Sequence, residues 1–175
     1  MNHTQEEKPM VHPEKSICLR PVGRVRAAQG SFSIDIDPEF RPALKHLDQF
    51  SHIHVFWWAH KQDTPAARRM IQTELPYAPG ITAGVFACRS ECRPNPVAMT
   101  TCPLLSINEE TGCIQVAWID AFDNSPVLDI KPYLPVSDRI RDVKTSEWFE
   151  KWPQWMEDAA EFFMGEGSGL LEKME

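Results

Sequence analysis

Three histidines, His52, His54 and His60, punctuate and flank the apolar run from Ile53 to Ala59. Alternation along a strand puts His52 and His54 on one face, the geometry of a metal pair, and His60 shares their parity. No Asp or Glu joins the pattern, so structural or cofactor-facing histidines are the better reading and no metal site is expected. Cys88 and Cys92 lack the spacing of zinc ligands, and Cys102 is too isolated to complete a set. Arg89 and Arg93 flank Pro94-Asn95-Pro96, a loop stiffened by two prolines. Alone they read as surface arginines. Asp129 and Lys131 alternate with apolar neighbours, and one reading of them is a structural ion pair at a sheet edge.

The elements that must position these residues are short strands. Ile17 to Arg26 alternates roughly, and Phe32, Ile34 and Ile36 alternate clearly with Ser33 and Asp35. Asp37-Pro38-Glu39 is a helix start, with Phe40, Ala43, Leu44 and Leu47 at helical spacing. Ile53 to Ala59 is β-branched and aromatic, the content of a buried strand. The spacing predicts an exposed helix over 64–74, a loop at Pro76 to Gly80 and a short strand over 84–88. Further strands are expected over 97–107, interrupted by Pro103, and over 113–122 and 127–134. Trp148, Trp152, Trp155, Ala159 and Phe162 share one helical stripe, which predicts a helix over 145–164 that Pro153 kinks or restarts.

About seven short strands with Pro/Gly/Asn punctuation predict a mainly β protein: a compact barrel with short helices and a C-terminal helix. The 175-residue length favours one such domain with an appendage. The expected division is a flexible leader over 1–15, a barrel over 16–143 and an acidic aromatic helix and tail over 144–175. No apolar run is long enough to span a bilayer, and residues 1–15 have no secretory signal, so a cytoplasmic address follows by default. Five cysteines without a signal argue for reduced thiols. The net charge of −7 is uneven, +2 over residues 1–95 and −9 over 96–175. Global acidity speaks against non-specific nucleic-acid binding but leaves room for a local basic face from Arg20, Arg24 and Arg26, with Arg68, Arg69, Arg89 and Arg93 adding positive charge; without the resemblance these read as a solvated face.

Three segments carry a resemblance. They are Phe50-Ser51-His52-Ile53 running on through Phe56-Trp57-Trp58-Ala59-His60; Val85-Phe86-Ala87-Cys88-Arg89-Ser90 followed by Arg93-Pro94-Asn95-Pro96; and Asp120-Ala121-Phe122-Asp123 followed by Pro126-Val127-Leu128-Asp129-Ile130-Lys131-Pro132-Tyr133. Together with Pro21-Val22-Gly23-Arg24-Val25, they resemble the TrmO/TsaA-like S-adenosylmethionine-dependent tRNA methyltransferases over about residues 17–140. The resemblance implies a β-barrel that dimerises, binds S-adenosylmethionine and methylates N6 of threonylcarbamoyladenosine beside the tRNA anticodon. It implies a cofactor site drawn from His60 and Lys61, from Arg89, from Met99, and from the turn Asp120 to Ser125 with Asp123 and Asn124. The chain departs from the family pattern around Arg89, where Cys88 and Ser90-Glu91-Cys92 stand, and in its short first loop, Ala27-Ala28-Gln29-Gly30.

Methyl transfer from a sulfonium needs in-line geometry more than acid–base power. Within the implied site, Phe86 or Trp58 suits the sulfonium, Asp120 or Asp123 suits the ribose hydroxyls or the amino group, and Arg89 suits the carboxylate in bidentate fashion. Arg93 and Asn95 complete the stiff loop. The exocyclic nitrogen must lose a proton, and His60, Asp123 and Tyr133 are the candidate acceptors; the sequence does not choose among them. The expected partners are tRNA and a second copy of the chain, with no membrane and no metal. The rival readings are a methyltransferase acting on a small molecule or protein, and a cofactor-binding module without catalysis.

Overall fold

The structure, a computed structural model, describes residues 17–28 and 30–164. The expected leader and the last part of the expected tail lie outside the described residues.

Eight strands form: β1 (Gly23–Ala28), β2 (Ser31–Ile36), β3 (His52–Trp58), β4 (Gln72–Leu75), β5 (Ala78–Gly84), β6 (Val97–Asn108), β7 (Cys113–Val116) and β8 (Pro126–Pro132). Six of them close into an antiparallel barrel in the order β1-β2-β7-β6-β3-β8, with β8 paired back onto β1 through Gly23 opposite Val127. Closure removes sheet edges. β4 and β5 form a separate hairpin inserted between β3 and β6 in the chain. The expected mainly β barrel is therefore observed, with six barrel strands and a two-stranded excursion.

The period-2 alternation explains the core. Ile53, Val55 and Trp57 of β3 point inward beside Val25, Ile34, Cys102, Ile114, Val116 and Val127, while His52, His54, Phe56 and Trp58 point out. The one indole in this core donates its Nε1–H to the buried Thr100 hydroxyl at 3.0 Å, so no polar cost remains there. Pro103 does not interrupt β6. It sits opposite His52 where pairing with β3 ends and pairing with β7 begins, so no ladder bond depends on its missing N–H.

Several local expectations are corrected. The predicted helix after Pro38 is a 3-10 turn, Pro38–Leu44, because Pro42 lies inside it and cannot donate. The predicted helix over 64–74 is a single 3-10 turn, Ala67–Arg69, capped by the Thr64 hydroxyl; Gln72 onward pairs with β5 instead. Of the loop expected at Pro76 to Gly80, only Pro76 and Tyr77 form the bend of that hairpin; Ala78 to Gly80 already belong to β5, with Gly80 at φ +83. Val85–Ala87 is a 3-10 turn rather than strand, and β7 stops at Val116, with Ile119 turning in to the core. The predicted helix over 145–164 reduces to 3-10 turns at Glu147–Phe149 and Met156–Asp158 and a short α-helix, Ala159–Met164.

Beyond β8, a single α-turn, Pro135–Asp138, folds back on β3. His54 binds Asp138 through Nε2 at 3.3 Å and pairs with the Thr101 hydroxyl through Nδ1 at 3.0 Å. Among the described residues no helix is long and apolar enough to cross a membrane.

Candidate functional site

The strand directions decide what meets what. β3 ends at Trp58, β6 begins at Val97 and β8 begins at Pro126, and all three ends lie at one mouth of the barrel. The residues just outside these ends are the ones that carried the resemblance.

His60 opens the turn after β3. Its Nδ1 lies 3.2 Å from the hydroxyl of Ser125, which is fully buried at the start of β8. That contact leaves Nε2 without a partner among the described residues. Lys61 places its ammonium 3.7 Å from the centre of the Phe122 ring, a cation–π contact that ties the same turn to the 117–125 loop.

The turn at 123–125 is held from below. The Asp123 carboxylate accepts from the Ala27 backbone N–H at 3.1 Å and from the Asn124 amide at 2.6 Å. Asn124 adopts φ +65, which its short side chain tolerates. Its Oδ1 accepts from Arg26 at 2.6 Å, and Arg26 also pairs with Asp35 at 2.7 Å. Asp123 and Asn124 are thus engaged in shaping the turn.

The proline loop joins the same mouth. Pro96 is fully buried and its carbonyl accepts from Ala59, the residue before His60, at 2.9 Å. Cys92 Sγ reaches Gln62 Oε1 at 3.4 Å. Glu91 is half-buried, and burial first, then the negative charge of Asp120, pushes its carboxyl above the usual range. The charge of the acidic turn thus reaches Glu91. Three segments, His60–Gln62, Glu91–Pro96 and Asp120–Ser125, meet here.

The predicted residues divide accordingly. His60, Lys61, Asp120, Asp123, Asn124 and Ser125 are brought together. Arg93 is spent inside its loop, donating to the Val85 carbonyl at 3.0 Å and the Ser90 carbonyl at 3.5 Å. Arg89 and Asn95 are exposed on the loop surface, and Arg89 has no ion-pair partner among the described residues. Phe86 is 88% exposed. Met99 sits on the outer wall of β6 opposite Phe56, two residues in from the mouth. Tyr133 is not brought to the mouth. It follows β8 and stacks on His54 at 5.5 Å, about 26 Å along the strand from Ser125 at roughly 3.3 Å per residue. Glu91 was not singled out by sequence reasoning; its role depends on Asp120, 29 positions away, which only the fold supplies.

His52 and His54 lie at the far end from His60, and no group of three His, Cys, Asp or Glu among the described residues could hold a metal. Cys102 is buried in the core, where desolvation pushes its thiol up to about 12, the value of an inert thiol. Asp129 and Lys131 do pair, at 2.7 Å, in full solvent. A cavity of about 330 Å³ opens at the far end under the 38–44 turn; it is lined mainly by apolar side chains such as Phe40, Leu44 and Ile130 and contains none of the mouth residues. Chemistry follows the polar groups, and those converge at the mouth.

The family described as tRNA-methyltransferase O N-terminal domain matches residues 12–139. A probable S-adenosyl-L-methionine-binding protein of Methanothermobacter thermautotrophicus is 39% identical over 134 residues, 69% of this chain and 92% of that protein. The tRNA (adenine(37)-N6)-methyltransferase of Escherichia coli is 30% identical over 77% of this chain, and the human protein of that name is 36% identical over 74% of it. The chain spans only 58% of the bacterial enzyme and 27% of the human one. Among solved structures, TrmO from Pseudomonas aeruginosa superposes with a TM-score of 0.60 at 26% identity, over 75% of this chain and 62% of that one. The chain belongs to the family of the tRNA-methyltransferase O N-terminal domain.

Proposed function

We propose that this protein is an S-adenosylmethionine-dependent methyltransferase whose acceptor is N6 of a modified adenosine, threonylcarbamoyladenosine, at tRNA position 37. The observation that carries the reading is the convergence of the 60–62, 91–96 and 120–125 segments at one barrel mouth.

The donor set fits the cofactor. Glu91 is half-buried and within the field of Asp120, and its raised carboxyl fits a position that gains from a cation. Arg89 offers an unengaged guanidinium fork to a carboxylate. When bound, the cofactor supplies an electrophilic methyl carbon on a sulfonium. With His60 Nδ1–H donating to the Ser125 hydroxyl oxygen, Nε2 is the unprotonated atom left to take the proton from the acceptor nitrogen. Asp123 is less suited to that task, because both of its oxygens already accept hydrogen bonds within the turn. Tyr133 would need a second copy of the chain to reach this mouth. Homodimerisation and a cytoplasmic address belong to the same proposal, and light scattering checks the former.

The test is a calorimetric titration with S-adenosylmethionine, followed by nucleoside mass spectrometry of tRNA from cells lacking the protein. Arg89→Ala is expected to weaken cofactor binding about tenfold or more, the scale of a lost charge-assisted contact. Undiminished affinity would remove Arg89 from the site. Absence of cofactor binding by the native chain would end the methyltransferase reading, and unchanged methylation of threonylcarbamoyladenosine in the deletion strain would end the tRNA one.

A further inference from the structure

On the outer wall beside the mouth lies a groove of about 270 Å³ lined by Ile17, Leu19, Pro21, Trp58, Pro126 and Leu128. It shares its chain segments with the candidate site: Trp58 stands two residues before His60, and Pro126 follows Ser125. Its rim is basic. Arg24 lies opposite Pro126 on the neighbouring strand, Arg68 stands with its guanidinium 5.2 Å from the Trp58 ring centre, and Arg69 is exposed beside it.

One carboxylate organises this rim. Asp63 accepts from the Trp58 indole N–H at 2.9 Å through one oxygen and from Arg68 Nε through the other. The bond to Arg68, with that from Trp58, holds the Asp63 carboxyl below the usual range. Indole and guanidinium are thereby fixed relative to each other. Arg68 uses Nε for Asp63, and its two terminal nitrogens have no partner among the described residues. A flat aromatic wall, an apolar trough and a fixed arginine with free donors form the combination that takes an unpaired base and its phosphate.

We propose that this groove is a docking subsite for a single-stranded nucleotide of the RNA, flanking the adenosine that enters the mouth. The proposal rests on the tRNA reading above and adds where the RNA lies. Three arginines, Arg24, Arg68 and Arg69, stand at this rim against the one carboxylate of Asp63 that is bound into it, and that balance selects a polyanion as the occupant.

The test uses the full chain and a labelled anticodon stem-loop RNA, read by fluorescence anisotropy, beside calorimetric titration with S-adenosylmethionine and light scattering. Arg68→Glu and Leu128→Asp are each expected to weaken RNA binding at least tenfold while cofactor affinity stays within twofold. Arg68→Ala is expected to lower the slope of log affinity on log salt by about 0.7, one phosphate contact on a single strand. Arg68 is on the surface, so its variants keep the test sharp even if Leu128→Asp fails to fold. Unchanged RNA affinity overturns the groove, as does a parallel loss of cofactor affinity, which would assign it to the cofactor. A changed oligomeric state with RNA affinity intact overturns it too, in favour of a second copy. Stem-loop binding that depends on Arg68 without methyl transfer would leave the groove standing and remove the methyltransferase reading. Methyl transfer with native RNA affinity in both variants would remove the groove alone, and a native chain that binds no stem-loop overturns it outright.

Discussion

At the scale of single residues, Glu91 carries the sharpest consequence. Its carboxyl titrates above the ordinary range because it is half-buried and within the field of Asp120. A raised folded-state value means that the folded chain holds the proton more tightly than the unfolded one. The charged form therefore costs stability, and that cost appears as pH rises above about 4.5 through the raised value. Glu91→Gln is expected to raise the melting temperature at pH 7, with the gain fading toward pH 4, and to weaken cofactor affinity at pH 7. Melting curves at the two pH values and a titration check both. A gain of equal size at both pH values would show that charge is not the cause. Stability given up at a position that favours a cation is the usual signature of a binding site. Sequence reading reached His60, Lys61, Asp120 and Ser125 because motif segments flank strand ends. It grouped Tyr133 with them, although seven strand residues separate Ser125 from Tyr133 and send them to opposite mouths. Arg93 looked like Arg89 in sequence, and only the Val85 and Ser90 carbonyls distinguish their fates.

At the scale of elements, the alternating strands were legible because each side chain's direction follows from its neighbour's. β2, β3 and β7 show the pattern without help. Helical spacing misled because short apolar periodicity does not form a helix where Pro42 interrupts it or where a partner strand competes for Gln72–Leu75. Strand contacts also set how little room some positions have. A Cβ on Gly23 would lie 2.2 Å from the Asp35 carbonyl oxygen across the β1–β2 pair, a main-chain atom held in a closed barrel. On Gly112, at φ +77, it would lie 2.6 Å from the Ile36 carbonyl oxygen. Gly30 shares that φ but faces open space. Alanine at Gly30 is expected to cost about 1 kcal/mol, the left-handed backbone penalty alone. Alanine at Gly23 or Gly112 is expected to cost about 2 kcal/mol or more, since the clash is with main chain. Urea midpoints rank the three, and a Gly23→Ala shift no larger than that of Gly30→Ala would show that the β1–β2 pair can open.

At the scale of the whole molecule, the question is what the acidic aromatic segment does for the barrel. Its side chains gather on the hairpin rather than on the barrel wall: Tyr77 meets Phe149 and Trp152 at 5.4 Å each, and Trp152 meets Phe163 at 5.1 Å. This cluster, not a continuous helix, takes up Trp148, Trp152 and Phe162 of the stripe, while Trp155 stays exposed against Arg139; the contacts to Tyr77 come from 72 and 75 residues away and lie outside any local periodicity. The six-strand barrel closes on itself without the segment. Removing residues 145–175 is therefore expected to leave the strand signal in circular dichroism and the amide protection of β3 and β6 unchanged, while dye binding to apolar surface rises and solubility falls. Two causes contribute to the fall: exposure of the hairpin's aromatic face, and loss of eight acids against two lysines, which moves the net charge from −7 to −1. Tyr77→Ser in the shortened chain separates them. Recovery of solubility would assign the effect to the uncovered ring, and no recovery would assign it to charge. Loss of the strand signal on truncation would contradict the argument at its base, because it would make the segment part of the barrel's own core.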